Sequence, residues 1–328
     1  MTPDLPVEIL IDIMHLVGDW ELANAIGIPT LLPQPSDWEW ATQTDRAVIT
    51  GHLPTIRKAL LSADNELTEA GTWLIIRFGY VNVLEYFLSQ HHEMFLGAFV
   101  WDLIPTRASR YGRLNVLSWW KHALERHPDL IPLQESITDA VESASRYGHV
   151  DVLDWWLNWG HTFEYTDRAL GYASANHHIG VLEWFKRQHE LTGLPLETGR
   201  AMKMASTEGH VEVLEWWARS QLDPKYDHYA LSNASAHGKV EVLQWWLGSG
   251  LPLAFNHQVL IRATENNWPE VLEWWDKSGL AIDYTLYHIM RALNESPESL
   301  DAARAWWSQK GVDFNVDFEE SLKLRSLN

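Results

Sequence analysis

Apolar residues recur along most of this chain in one short phrase, V-x-V-L-x-W-W, in most copies behind a glycine and a run of small residues. It is clearest as G-H-V-D-V-L-D-W-W at Gly148 to Trp156, G-H-V-E-V-L-E-W-W at Gly209 to Trp217 and G-K-V-E-V-L-Q-W-W at Gly238 to Trp246. At 100° per residue, Val213, Leu214 and Trp217 share one arc of a helix, Trp216 lies at its edge, and Glu212 and Glu215 point away. Ahead of each turn a second pattern of helical spacing appears, as in His257 to Glu265 with Val259, Leu260 and Ala263 on one side. The turn glycine follows that helix directly, where a left-handed residue is needed, and Asn267 is a usual substitute. His177 breaks the rule, which predicts local strain or an altered turn. Each unit therefore reads helix, tight turn, helix, loop.

The units centre on Gly51, Gly79, Gly112, Gly148, His177, Gly209, Gly238 and Asn267, and a ninth, degenerate unit ends at Trp306 and Trp307 with its turn rebuilt around Pro297. Asn256, Thr166, Thr198, Asp227 and Thr285 fall at matching places as candidate N-caps, where a side-chain oxygen accepts from free backbone N–H groups. One such unit cannot bury its own apolar face. The pattern predicts a stack with a long shared core and a long outer surface, so binding is a better expectation than catalysis.

The run A-S-T-E-G-H-V-E-V-L-E-W-W, Ala205 to Trp217, resembles the ankyrin repeat, whose second half reads A-A-x-x-G-H-x-E-V-V-x-x-L-L, and the resemblance covers Gln43 to Trp307. The family's T-P-L-H opening is missing, replaced for example by R-A-M-K at Arg200 to Lys203, and several units are shorter than the usual ~33 residues. The resemblance implies an all-α, ankyrin-like helix-turn-helix repeat solenoid whose hairpin fingers are reduced to turns around Leu194-Pro195 and Leu251-Pro252. The array is expected over 36–310, preceded by N-terminal helices over 1–35. Residues 311–328 would form a C-terminal cap or tail, a closing lid on the last unit in which Val312, Phe314, Val316 and Phe318 alternate.

Arrays of that family bind proteins on their concave side, through the two positions before the turn glycine. Here these include Arg77 and Phe78, Arg110 and Tyr111, Arg146 and Tyr147, and then Asn176, Glu208, His237 and Asn266. The units of Gly79, Gly112 and Gly148 place Arg beside an aromatic, both types enriched in binding hot spots. Two readings stand: an aligned ladder that takes carboxylate or phosphate from a partner, or local pairing with neighbouring acids. If recognition is localised, it is expected N-terminal of His177.

Before the array, Asp4 to Ala23 opens with an amphipathic helix followed by a second short helix, with Asp4 as a cap, Pro6 in the first turn and Ile9, Leu10, Ile13, Met14 and Leu16 as the apolar stripe of the first. The order L-P-x-E-I-L-x-x-I resembles the F-box, which docks a substrate adaptor onto the linker subunit of a cullin–RING ubiquitin ligase. That resemblance assigns docking to Leu5, Pro6, Ile9, Leu10 and Ile13, although Pro29, Pro33 and Pro35 interrupt where a third helix would lie. The alternative is a capping pair that shields the first repeat.

Thirteen of the 20 tryptophans sit in the paired positions. Each can bury about 150–250 Å², roughly 4–6 kcal/mol gross, and that many exposed rings would exceed the apolar patch a soluble monomer tolerates. They read as core, the second of each pair fully inside. A partly exposed stripe of Trp155, Trp184, Trp216, Trp245 and Trp274 leaves aromatic-lined small-ligand binding as a further alternative.

Of the 328 residues, 46 % are hydrophobic, and the formal net charge of −19 would repel phosphate backbones and anionic membranes. No signal-type or membrane-length apolar run occurs, and there is no cysteine. The expectation is an intracellular protein, cytoplasmic or nuclear, without disulfides. Sixteen His include the adjacent pairs His91-His92 and His177-His178, but neighbours on a helix diverge and make a poor chelate. His149 and His210 follow turn glycines and read as turn structure. No nucleophile-elbow, P-loop or dinucleotide motif appears, and the acids recur once per unit as a solvated face, so no enzyme activity, metal or cofactor is expected.

Overall fold

The computed structural model describes residues 5–62, 65–99, 103–128, 137–160, 162–295 and 300–327. Asp4 and Pro297, assigned a cap and a turn above, lie outside them. The chain divides into two compact units, Met1–Ala144 with Asp151–Glu164, and Ser145–Val150 with Tyr165–Asn328. Both are mostly helical, with little sheet.

The first unit opens with α1 (Val7–Val17) and α2 (Trp20–Ala25). Pro6 is the N-cap residue of α1 and not part of its first turn. A single 3-10 turn at Ser36–Trp38 follows the proline-rich stretch. Helix pairs then succeed one another: α3 (Gln43–Val48) with α4 (Leu53–Ala59), α5 (Glu69–Arg77) with α6 (Val81–Gln90), and, after α7 (His92–Ala98), α8 (Leu103–Arg110) with α9 (Leu114–Arg126). The pair α10 (Thr138–Arg146) and α11 (Val150–Leu157) ends the unit, α10 giving its last two residues to the second. First helices pack on first helices, α3 on α5 and α5 on α8, while α6 packs on α9. Helix α7 occupies a place read from sequence as loop.

The second unit holds α12 (Asp167–Ala175) with α13 (Ile179–Thr192), α14 (Ala201–Glu208) with α15 (Val211–Arg219), α16 (Tyr229–Ala236) with α17 (Val240–Gly248), and α18 (Gln258–Glu265) with α19 (Pro269–Lys277). Strand β1 (Ile282–Thr285), α20 (Leu286–Glu295), α21 (Asp301–Gln309), α22 (Phe318–Ser321) and β2 (Leu324–Leu327) complete it. Here α12, α14, α16, α18 and α20 pack each on the next, and so do α15, α17, α19 and α21.

Hydrogen bonds at repeating positions tie successive pairs together within each unit. Buried indole N–H groups of the second tryptophans donate to a hydroxyl on the preceding first helix: Trp156 to Ser109 at 2.8 Å, Trp217 to Ser174 at 3.1 Å, and Trp246, Trp275 and Trp307 to Ser206, Ser235 and Thr264 at 3.0 Å. These are the small residues of the sequence pattern, and their hydroxyls satisfy donors that burial would otherwise orphan. The first tryptophans donate instead to an acceptor on the preceding second helix: Trp119 to Glu85, Trp216 to Glu183, Trp245 to Glu215, Trp274 to Gln244 and Trp306 to Glu273. The expectation that these acids form a merely solvated face is thereby corrected. At the edge of the arc a half-buried indole needs an acceptor, and the outward carboxylate of the previous pair lies within reach.

The turns confirm glycine's part and add a second reason for it. Gly51, Gly79, Gly148, Gly209 and Gly238 all have positive φ, and a Cβ there would meet a side chain of the next pair: the Tyr80 ring at 2.9 Å from Gly51, His178 at 2.7 Å from Gly148, Trp268 at 3.0 Å from Gly238. That covering residue often bonds back to the preceding first helix, as Tyr80 does to the Ile49 carbonyl (2.9 Å), His210 to Ala175 (2.9 Å) and Trp268 to Ala236 (3.0 Å). Of the two outcomes expected at His177, strain is the one found: it keeps the left-handed conformation (φ 60°) of the turn. Its ring stacks on His210 with centroids 5.1 Å apart.

Asn256, Asp227 and Thr166 accept backbone N–H bonds at their helix starts, at 2.9, 2.9 and 3.2 Å. Thr198 does not cap: its hydroxyl reaches the following loop, accepting from the Lys225 N–H at 3.3 Å. Loop aromatics Tyr226, Phe255 and Tyr284 pack on Trp246, Trp275 and Trp307 of their own pairs. In the last pair this loop is β1, which pairs antiparallel with β2, Ile282 opposite Leu327. Within the stretch expected to close the last unit, Gly311 to Asn328, it is Leu324 to Leu327 that pair with the array. Val312 is buried but Phe318 is exposed, and the closing strand lies further on because it needs the free edge of β1 to pair with.

Candidate functional site

In the first unit, helix α2 is the anchor of the N-terminal segment. Asp19 caps it, accepting from the Leu22 N–H at 2.9 Å, and its carboxylate also pairs with the Arg77 guanidinium, as does Glu21. Glu21 further accepts from the Trp38 indole at 2.8 Å. Burial lowers the Arg77 pKa, and the Asp19 and Glu21 charges more than reverse this, leaving it raised. Arg77 is therefore committed to local acids, while Phe78 lies beneath it at 5.3 Å from the guanidinium carbon to the ring centroid.

Helix α1 behaves differently. Met14 is its buried residue, whereas Leu5, Pro6, Ile9 and Ile13 are exposed and Leu10 is half-buried. Leu16 is 88 % exposed. Four of the five positions assigned to docking are thus open to solvent together with Val7 and Val17.

Arg110 and Tyr111 are half-buried near a residue that sequence reasoning missed, Arg107. Its guanidinium carbon lies 3.2 Å from the centroid of the Trp73 ring and it pairs with Glu69 at 3.2 Å, while Arg110 stands 5.3 Å from the same ring. Burial lowers the Arg107 pKa and raises that of Tyr111, the latter against the pull of the Arg110, Arg77 and Arg107 charges. The available signal was helical spacing: Arg107 stands three residues before Arg110, on the same face.

In the second unit, Arg146 and Tyr147 are exposed, with the Arg146 guanidinium 5.1 Å from the Tyr172 ring of the next pair. Asn176, Glu208, His237 and Asn266 are all exposed at the ends of first helices. Asn176, His237 and Asn266 bond to carbonyls four residues back, at Tyr172, Asn233 and Arg262. His237 and Asn266 also line a polar hollow of about 600 Å³ between α16 and α18, together with Tyr229, Asn233 and Arg262. Those three were missed for the same reason as Arg107, since they sit one turn (Asn233, Arg262) or two turns (Tyr229) before the positions the repeat pattern singled out. This polar hollow lies C-terminal of His177.

Of the tryptophan stripe, Trp184 is buried at 3 % exposure, while Trp155, Trp216, Trp245 and Trp274 are half-buried. The indole N–H groups of the last three are committed to the neighbouring pair. His91 bonds to the Tyr86 hydroxyl at 3.1 Å and His177 pairs with Glu212 at 3.0 Å. Among the described residues no three of His, Asp and Glu gather as a metal-ligand set, and no helix is long and apolar enough to cross a membrane. No family model matches the chain, and no curated protein matches it in sequence.

Proposed function

We propose that this chain is a protein-interaction module built as an ankyrin-like helix-turn-helix solenoid with reduced fingers. The solenoid reading is supported by the repeated indole-to-hydroxyl bonds, each joining one helix pair to the one before it. The binding reading rests chiefly on the polar hollow of α16 and α18, because its exposed Tyr229, His237, Arg262 and Asn266 lie on the opposite helix from the paired tryptophans and are free to vary without loss of core. Affinity capture with the full chain and with Tyr229→Ala/Asn266→Ala tests it. Loss of the same bound protein in the variant, at an unchanged melting temperature, is the expected outcome; an identical set of bound proteins would remove the site.

A second reading, adaptor function through the F-box-like segment, is favoured by the exposure of Leu5, Ile9 and Ile13 while α2 alone grips Arg77. A helix whose main task was to shield the array would turn those side chains inward. Mixing the purified chain with a cullin–RING linker subunit and following co-elution tests this. Ile9→Asp/Ile13→Asp is expected to abolish co-elution, and failure of the unsubstituted chain to co-elute would end the adaptor reading while leaving the solenoid untouched.

A further inference from the structure

Within the first unit a hollow of about 430 Å³ is walled by three indoles, Trp38, Trp40 and Trp73, and edged by the carboxylates of Glu21, Asp37 and Glu69. Its size is in the range of specific ligand sites, ~300–1,000 Å³. Trp38 is fully buried and bonded to Glu21, so one wall is rigid. Trp40, which joins no aromatic pair of the repeat, is 84 % exposed at the rim of this cavity. Glu69 is held in place by the Trp73 indole N–H at 3.0 Å.

The molecule already displays what this combination of groups recognises. Arg107, which does not line the hollow, lays its guanidinium over Trp73 at 3.2 Å and pairs with Glu69 at 3.2 Å. An electron-rich ring face with a carboxylate at its edge attracts a planar cation by both the quadrupole and the charge. Arg77 and Arg107 offset Glu21 and Glu69, and among the described residues no Lys or Arg pairs with Asp37, the remaining acid at the hollow.

We propose that the Trp38–Trp40–Trp73 hollow binds an arginine side chain of a partner polypeptide, stacked on Trp40 and paired with Asp37. The site is independent of the polar hollow of the second unit and of the docking role assigned to α1. The chain's net charge of −19 favours approach of a basic segment.

The test is calorimetric titration of the full-length protein with a short blocked peptide, Gly-Gly-Arg-Gly-Gly, and with its citrulline and norleucine counterparts. The arginine peptide is expected to bind at least about threefold more tightly than either neutral peptide, the scale of an exposed cation–π contact of roughly 0.5–1 kcal/mol. Trp40→Ala and Asp37→Asn, both at exposed positions, are each expected to weaken it several-fold with the melting temperature unchanged. Equal binding of norleucine would make the hollow an apolar anchor site and overturn the proposal. So would undetectable binding of the arginine peptide, or binding that survives Trp40→Ala.

Discussion

The Trp217 indole donates to the Ser174 hydroxyl 43 residues away, across the boundary between two helix pairs and out of reach of water. Ser174→Ala leaves that donor orphaned and is expected to cost about 1–3 kcal/mol in denaturant unfolding. Trp217→Phe in the Ser174→Ala background should cost less than Trp217→Phe alone, a coupling that a double-mutant cycle reads directly.

Gly238 carries two demands at once, a φ of 69° and the Trp268 ring 3.0 Å from where a Cβ would stand. Gly238→Ala is therefore expected to destabilise by more than the ~1–2 kcal/mol of left-handed strain alone. Conversely, His177→Gly should raise stability by about 0.5–1 kcal/mol, since its stack on His210 and its pairing with Glu212 are largely exposed. Chemical denaturation of both variants checks the pair of signs.

Glu85, bonded by Arg126 and by the Trp119 indole, is held down at about 2, and Glu273, bonded by Lys277 and Trp306, also at about 2. Both folded values lie below the ordinary 4.5, so the stability these acids add is present above that value and is lost as pH falls from about 4.5 toward 2. Melting temperature against pH should fall in that window. Glu85→Gln, which keeps an acceptor for Trp119, should flatten part of the slope.

His178 and His257 are held below 6.5, by burial first and then by neighbouring histidine charges, His149 and His177 for one and His288 for the other. Their neutral forms suit the folded state, so a smaller loss of stability is expected to begin as pH falls through 6.5. Histidine ring resonances followed by NMR should show both titrating later, on acidification, than a free imidazole.

Arg77→Ala removes the clamp on Asp19 and Glu21, whose pairing is at most about a quarter exposed. Charge-assisted bonds of this kind contribute roughly 1.5–3 kcal/mol, so the expected result is release of α1 and α2 with the remaining helices intact. Hydrogen exchange confined to residues 7–25 would display it; unchanged protection there would show that Trp38 and its neighbours hold the segment without Arg77.

The helices, their turns and the depth of the paired tryptophans were legible because they depend on local rules: a 3.6-residue period, a left-handed residue after a helix, and the area of an indole. Val213, Leu214 and Trp217 could sit together in no other regular way. What the chain order could not disclose was which groups meet between pairs, since Ser174, Glu183 and Trp268 acquire their partners only when one pair lies on the next. The same holds for the first unit's hollow, where Trp38, Trp40 and Trp73 converge from a 3-10 turn, its trailing loop and a later helix. Local periodicity determines which side each residue presents; only long-range packing decides what it faces, because the energies that pair distant groups are absent until the chain has closed the loops between them.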